Sequence, residues 1–483
     1  MKVRKITMMP KREYLYWLIL LGVGIFYFFF AGEKGYVLWS DSAGYIKAHY
    51  EREPLYPLLL MACRMMLGEK LYLYGVVVIQ SIAALTAVIV LMQCIRKEFR
   101  LNRMESAIAY LLLLLPYGLD TMWSEPRSNY THAIMTDALS YSMFYFYVVV
   151  LIRYLKYQKW TSFGWMVIWS CIMTLNRSQM QLCYVVTGIA VLFMCCNVKG
   201  NRLSVAWKKI LVKAGIVIGA FGITIFLTYC YSYWRWGEFA RSSENDFTTL
   251  TNLLYASDPE DEALFQNPET AEAFRELYGR VYEAKLTHHY APEGFLENGY
   301  YMLQCHDPMK SRIVRTFFIE YIEDQGLEPS FRSDQLKKEL ASEMKSVLMR
   351  EHFWEWIYNG LCMAPRGVMY AVMPIIPPGM ENIAYVCTVV ILGLCIVLYV
   401  MHMLQTRKLS GEYKEQRICL TKWIGCMVMF MGMNIVALSI IILVNCRYVN
   451  YTQGLFYIML YLVAKDVVKV RRKQAVYEEP VHS

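Results

Sequence analysis

Charge is scarce in this chain. Lys, Arg, Asp and Glu make up 18% of 483 residues against 57% apolar residues. That balance excludes an ordinary soluble globule and places the chain among polytopic membrane proteins. Familiar catalytic patterns are missing as well: there is no glycine-rich phosphate loop, no HExxH and no GxSxG. Nucleotide-sugar folds and zinc hydrolases therefore have no support. Fourteen cysteines are present but form no CxxC and no Cys/His metal spacing. Most lie in apolar segments, with only Cys305 and Cys362 in the large polar stretch, so they read as reduced, buried small hydrophobes. No internal repeat and no low-complexity tract occurs. Residues 14–31 have no small-residue cleavage site after them and read as a retained anchor rather than a signal peptide.

Long apolar runs are abundant. Ten of them, at about 14–31, 71–95, 104–119, 137–152, 161–176, 179–196, 210–231, 382–404, 423–445 and 455–468, approach membrane length. A further apolar piece at 54–67 carries Arg64 and reads as interfacial or re-entrant. Basic residues then suggest an orientation. With the N-terminus inside, the segments 1–13, 96–103, 153–160, 197–209, 405–422 and 465–483 hold 26 Lys and Arg, and the short outer segments hold eight. The positive-inside rule puts both termini in the cytoplasm of a multi-pass plasma-membrane protein. The net charge of +9 is thus a topology signal and a contact with lipid headgroups, and no nucleic-acid partner is expected.

The expected class is all-α, a polytopic bundle of about ten transmembrane helices in three parts. Residues 1–231 form an N-terminal module of about seven helices with a first outer loop at 32–70. Residues 232–365 form a small helical extracytoplasmic domain. Residues 366–483 form a C-terminal module of about three helices with a basic tail. Inside the domain, Asn267-Pro268 reads as N-cap and first residue of a helix whose buried face is Phe274, Leu277, Tyr278, Val281 and Tyr282. Asp307-Pro308 is expected to open a second helix and Ser333 to cap a third, which runs on into Phe353–Tyr358 along the interface.

The candidate chemistry gathers in polar stretches next to the apolar runs. If Ser40 caps a helix, Asp41, Tyr45 and His49 fall at i, i+4 and i+8 on one face, and Pro54 ends it. An ionised carboxylate at the mouth of a membrane cavity can take the proton of an attacking hydroxyl. Glu125, before Pro126, is extended and can point into a cavity; Thr136-Asp137 reads as the N-cap of the next helix. Arg177, between two apolar runs, and Arg447-Tyr448, closing another, either snorkel to the headgroup level or bind a phosphate through the planar guanidinium.

These residues resemble the GT-C superfamily of polytopic glycosyltransferases, especially the family of protein O-mannosyltransferases and aminoarabinose transferases. The resemblance rests on four short features. They are Asp41-Ser42-Ala43-Gly44-Tyr45 running on to Pro54-Leu55-Tyr56-Pro57, Met135-Thr136-Asp137-Ala138-Leu139-Ser140, Asn176-Arg177, and Arg447-Tyr448. It implies a polyprenyl-phosphate sugar donor, an envelope glycan, lipid or protein acceptor, and an inverting transfer of a hexosyl or pentosyl group. Asp41 takes the role of base. Arg447 and Arg177 would hold the donor phosphate, with Tyr45, His49, Glu125, Asp137 and Tyr448 lining the site. Ser42 stands where many relatives carry a second acid, so a divalent ion there is unsupported, and no cofactor is assigned. A transporter or flippase, or a polymerase, of lipid-linked saccharides is the alternative.

Overall fold

The structure is a computed structural model that describes residues 11–31, 35–49, 52–118, 128–193, 202–239, 245–328, 331–373, 376 and 379–478. Among them, helices follow one another in the order α1 Lys11–Phe29, α2 Ser42–Ile46, α3 Leu55–Glu98, α4 Arg103–Leu114, α5 Thr136–Tyr157, α6 Trp160–Asn176, α7 Leu182–Leu192, α8 Arg202–Trp236 and α9 Asn245–Ala256. Then come α10 Pro268–Glu283, α11 Phe295–Pro308, α12 Arg315–Asp324, α13 Phe331–Glu351, α14 Phe353–Val372, α15 Glu381–Arg407, α16 Gly411–Ile441, α17 Cys446–Val449 and α18 Gln453–Glu478. No strand is present among the described residues, only one isolated bridge between Val37 and Ala133.

Each of the ten apolar runs is helical over most of its described residues. Among the described residues six helices, α1, α3, α5, α8, α15 and α16, are long and apolar enough to cross a membrane. The other four are shorter or more polar: α4, α6 and α7 have 12, 17 and 11 residues, and α18 carries Lys465, Asp466 and Lys469. Val386, Val389 and Val390 on α15 are each at least 65% exposed. A helix so bare of protein cover is stable only where lipid solvates it, and a helix satisfies its own backbone there. The protein is therefore a polytopic all-α membrane bundle.

The chain divides into two compact units. The first holds residues 1–228, 392–428 and 451–483. In it, the apolar piece 54–67 is joined to the following span within α3 across a kink at Gly68, whose φ of 73° suits glycine. Arg64 reaches over the kink to the Tyr72 hydroxyl at 2.9 Å and to Glu69 at 3.2 Å.

The second unit holds residues 229–391 and 429–450. Its core is built from α9 to α14 with Ile435, Leu438, Leu443, Val444 and Val449. Asn267 caps α10 by accepting the Glu269 N–H, and Phe274, Leu277, Tyr278 and Val281 are buried as the periodicity predicts. Tyr282 is 38% exposed and sits at the edge of that face. Two helix starts differ from expectation. Pro308 closes α11 instead of opening a helix, and a π-helical turn at Met309–Val314 carries the chain on into α12. Proline lacks the N–H of one i→i−4 bond, and the wider turn absorbs that loss. Ser333 lies inside α13, buried, rather than at its N-cap, and Phe353 begins a separate helix. All described cysteines are free, Cys305 and Cys362 included.

Candidate functional site

In the first unit the loop after α1 is pinned by backbone. The Val37 N–H donates to the His132 carbonyl at 2.8 Å, and the Ile134 N–H donates to the Val37 carbonyl at 3.0 Å. Gln80, buried on α3, grips the same segment: its amide donates to the Thr131 and Ala133 carbonyls, and its oxygen accepts from the Tyr56 hydroxyl at 2.7 Å. A buried amide with every group satisfied fixes its surroundings. These contacts set where α5 begins.

That start is one residue earlier than the sequence suggested. Met135, extended, is the N-cap, so Thr136 and Asp137 lie in the first turn rather than at the cap. Asp137 is 2% exposed and forms an ion pair with Arg177 at 2.6 Å. Arg177 follows the C-terminus of α6 with an extended backbone, which lets its guanidinium turn back toward α5. Its Nε donates to Gln179 at 2.9 Å, and a second nitrogen lies 3.4 Å from the Thr136 hydroxyl. Asn176 adds hydrogen bonds to the Thr136 carbonyl and the Ser140 hydroxyl. Taking both charges from water is costly, and only such close pairing with extra hydrogen bonds offsets it.

Thr136 links this buried pair to the first loop. Its hydroxyl shares a hydrogen bond with the Tyr45 hydroxyl at 3.2 Å. Burial pushes the Tyr45 phenol up to about 12, while the nearby Arg52 and Arg177 charges pull it down. The Tyr45 ring packs edge-on against Tyr56 and lies under the Arg52 guanidinium, 4.8 Å from its centroid. Arg52 in turn sits 3.2 Å from the Asp41 carboxylate. A continuous polar chain therefore runs Asp41, Arg52, Tyr45, Thr136, Arg177, Asp137. Asp41 forms its more open end, at 30% exposure against 2% for Asp137.

Of the sequence candidates, Asp41, Tyr45, Asp137 and Arg177 are thus brought together. His49 lies beyond the C-terminus of α2, so its spacing from Asp41 is not carried on one helix. Helix α2 spans only five residues, Ala48 takes a positive φ of 50°, and His49 has left the helical path before Pro54 is reached. With so short a helix, the positive charge beside Asp41 is Arg52 and not a helix dipole. Glu125 lies outside the described residues. Arg447 and Tyr448 belong to the second unit, on α17. There the Arg447 guanidinium stacks on the Tyr448 ring at 4.8 Å and donates to its hydroxyl at 2.9 Å.

Sequence reasoning missed Arg52 and Glu53. Glu53 accepts the Ser178 N–H at 3.1 Å, tying the first loop to the residue after Arg177. The available signal was a charged pair directly before the Pro54 re-entry. Gly44 belongs to the same contact: a Cβ there would lie 2.9 Å from Arg52 Nε.

No protein-family model matches the chain, and no curated protein matches it in sequence. Among solved structures, ArnT from Cupriavidus metallidurans in the apo state aligns over 89% of this chain and 78% of its own, at 11% identity and a TM-score of 0.31. Superposition at that level assigns neither residues nor substrate.

Proposed function

We propose that the chain is a GT-C-type membrane glycosyltransferase that moves a hexosyl or pentosyl group from a polyprenyl-phosphate carrier to an envelope acceptor. Asp41 acts as base on the acceptor hydroxyl. The observation that carries this reading is the polar chain from the half-open Asp41, through Arg52 and Tyr45, to the buried Arg177–Asp137 pair. Such a chain supplies a carboxylate for proton abstraction beside guanidinium groups that can stabilise a departing phosphate. Arg52 is the nearer cation to Asp41, and the leaving phosphate takes it over as the acceptor proton reaches Asp41. Arg177, already committed to Asp137, positions Thr136 and Tyr45 and adds positive potential. In this reading both termini face the cytoplasm, and residues 232–365 lie outside it.

The buried Arg177–Asp137 pair also favours a second reading, because ionisable groups inside a bundle often mark a translocation path. A transporter, flippase or polymerase of lipid-linked saccharides would use the same charges. Reconstitution of the purified chain in vesicles with a polyprenyl-phosphate sugar separates the readings. Release of free polyprenyl phosphate with sugar on a second molecule supports the transferase. Movement of the intact lipid-linked sugar between leaflets, without cleavage, overturns it.

A further inference from the structure

The second unit brings together three groups that the polar chain of the first unit does not use. The ligating atoms of Asp258, His288 and His289 all lie within 4.8 Å of one another. The His289 Nε2 is 2.8 Å from one Asp258 oxygen, and the His288 Nε2 is 3.9 Å from the same atom. Ligands around a tetrahedral ion, each about 2.0–2.2 Å from it, stand roughly 3.3–3.6 Å apart, so the observed spacings bracket that value.

The tautomer of His288 is fixed by its other nitrogen. Its Nδ1 lies 3.0 Å from the Tyr255 carbonyl, which can only accept. The proton therefore sits on Nδ1, and the Nε2 lone pair faces Asp258 and His289. A carbonyl behind an imidazole is the support commonly found for metal-bound histidine. Asp258 is held as well. Its N–H donates to an Asp261 oxygen at 2.8 Å, and the same oxygen bonds His352 at 2.6 Å.

His288 also lines a cavity of 330 Å³ with Glu293, Asn298, Glu355, Tyr358 and Asn359. We propose that Asp258, His288 and His289 form a three-ligand site for a divalent transition-metal ion, zinc above all, whose remaining position opens to this cavity. Two imidazoles and one carboxylate suit a borderline-soft ion, whereas calcium or magnesium would want more oxygens. The open position would take water or an oxygen donor of a hydroxylated or anionic small molecule held by the cavity's amides and carboxylates. Nothing in the proposal depends on the transferase reading.

Cobalt(II), a spectroscopic stand-in for zinc, tests it on the full chain in detergent without a polyhistidine tag. The expected result is one equivalent bound at micromolar ion, visible absorption of a four- or five-coordinate ion, and displacement by zinc. His289→Ala and Asp258→Asn, both at partly exposed positions, should each weaken binding at least tenfold with the thermal unfolding midpoint of the metal-free chain unchanged. Absence of one-to-one binding at micromolar ion overturns the proposal. So does full-strength binding in a folded His288→Ala/His289→Ala chain.

Discussion

The Asp41 carboxylate and the Arg52 guanidinium lie 3.2 Å apart, one on either side of α2 in the chain. Arg52 is 14% exposed and Asp41 is 30% exposed, so the pair sits where the protein surface begins to close. The contact holds the proposed base next to the cation that would receive the leaving phosphate. It also makes Gly44 interpretable, since the guanidinium occupies the space where a side chain at position 44 would stand.

Gly44→Ala should therefore displace Arg52 with little effect on the fold. Alanine is the better helix former, and a half-exposed ion pair is worth only about 0–1 kcal/mol. The unfolding midpoint should stay within a few degrees of wild type, while sugar transfer in vesicles drops by about tenfold, roughly the 1.4 kcal/mol expected from a misplaced charge. Transfer at the wild-type rate would show that Arg52 has no part in the reaction.

The Arg177–Asp137 pair predicts a non-additive mutant cycle. Arg177→Leu alone leaves a carboxylate of 2% exposure without its cation and should cost about 3–5 kcal/mol. Asp137→Leu alone should cost a similar amount, and the double variant should regain most of the loss. Thermal unfolding of the four proteins in one detergent gives the coupling. Simple addition of the two single effects would mean that the pair is not the partner relation described.

In the second unit His306 predicts a loss of stability in acid. Burial, with a smaller push from Lys310, lowers its value from 6.5 to about 3, and its Nδ1 lies 2.9 Å from the Asn252 side-chain oxygen. The folded state thus binds fewer protons than the unfolded one between pH 6.5 and about 3, and stability falls as pH drops through that window. The slope approaches about 1.4 kcal/mol per pH unit. His352, raised by its bond to Asp261, acts in the opposite sense: its stabilisation is present below pH 6.5 and is lost as pH rises through its folded value. Hydrogen exchange of peptides from α11 should quicken from pH 6.5 to 4, after correction for the intrinsic rate, and His306→Gln should remove that dependence.

The membrane helices were legible because hydropathy is a local property. Every apolar run is helical over most of its described residues, and the Asn267-Pro268 start was readable from cap chemistry alone. The positions of breaks were less so. Gly68 kinks α3 and joins a piece read as separate, and Pro308 ends a helix it was expected to begin. Whether proline opens or closes a helix depends on what packs before it.

The candidate site was legible in its members and not in its pairings. Asp41, Tyr45, Asp137 and Arg177 could be named from polar islands in apolar sequence. That Arg177 meets Asp137, and Arg52 meets Asp41, depends on helix packing and on a loop path that local spacing does not encode. The i, i+4, i+8 spacing of Asp41, Tyr45 and His49 was not realised as one helix, because α2 ends at Ile46 and Ala48 takes a positive φ. Asp258 and the His288-His289 pair escaped notice because the ligand spacing spans two elements and matches no short motif.

The central claim is that Asp41 is the base of a sugar transfer, and Asp41→Asn tests it most directly. The amide keeps the size of the side chain and removes its charge. Its transfer rate from a polyprenyl-phosphate donor should fall by a factor of about 10² or more, with normal membrane insertion and an unfolding midpoint close to wild type. Transfer by the folded Asp41→Asn protein at the wild-type rate would contradict the account.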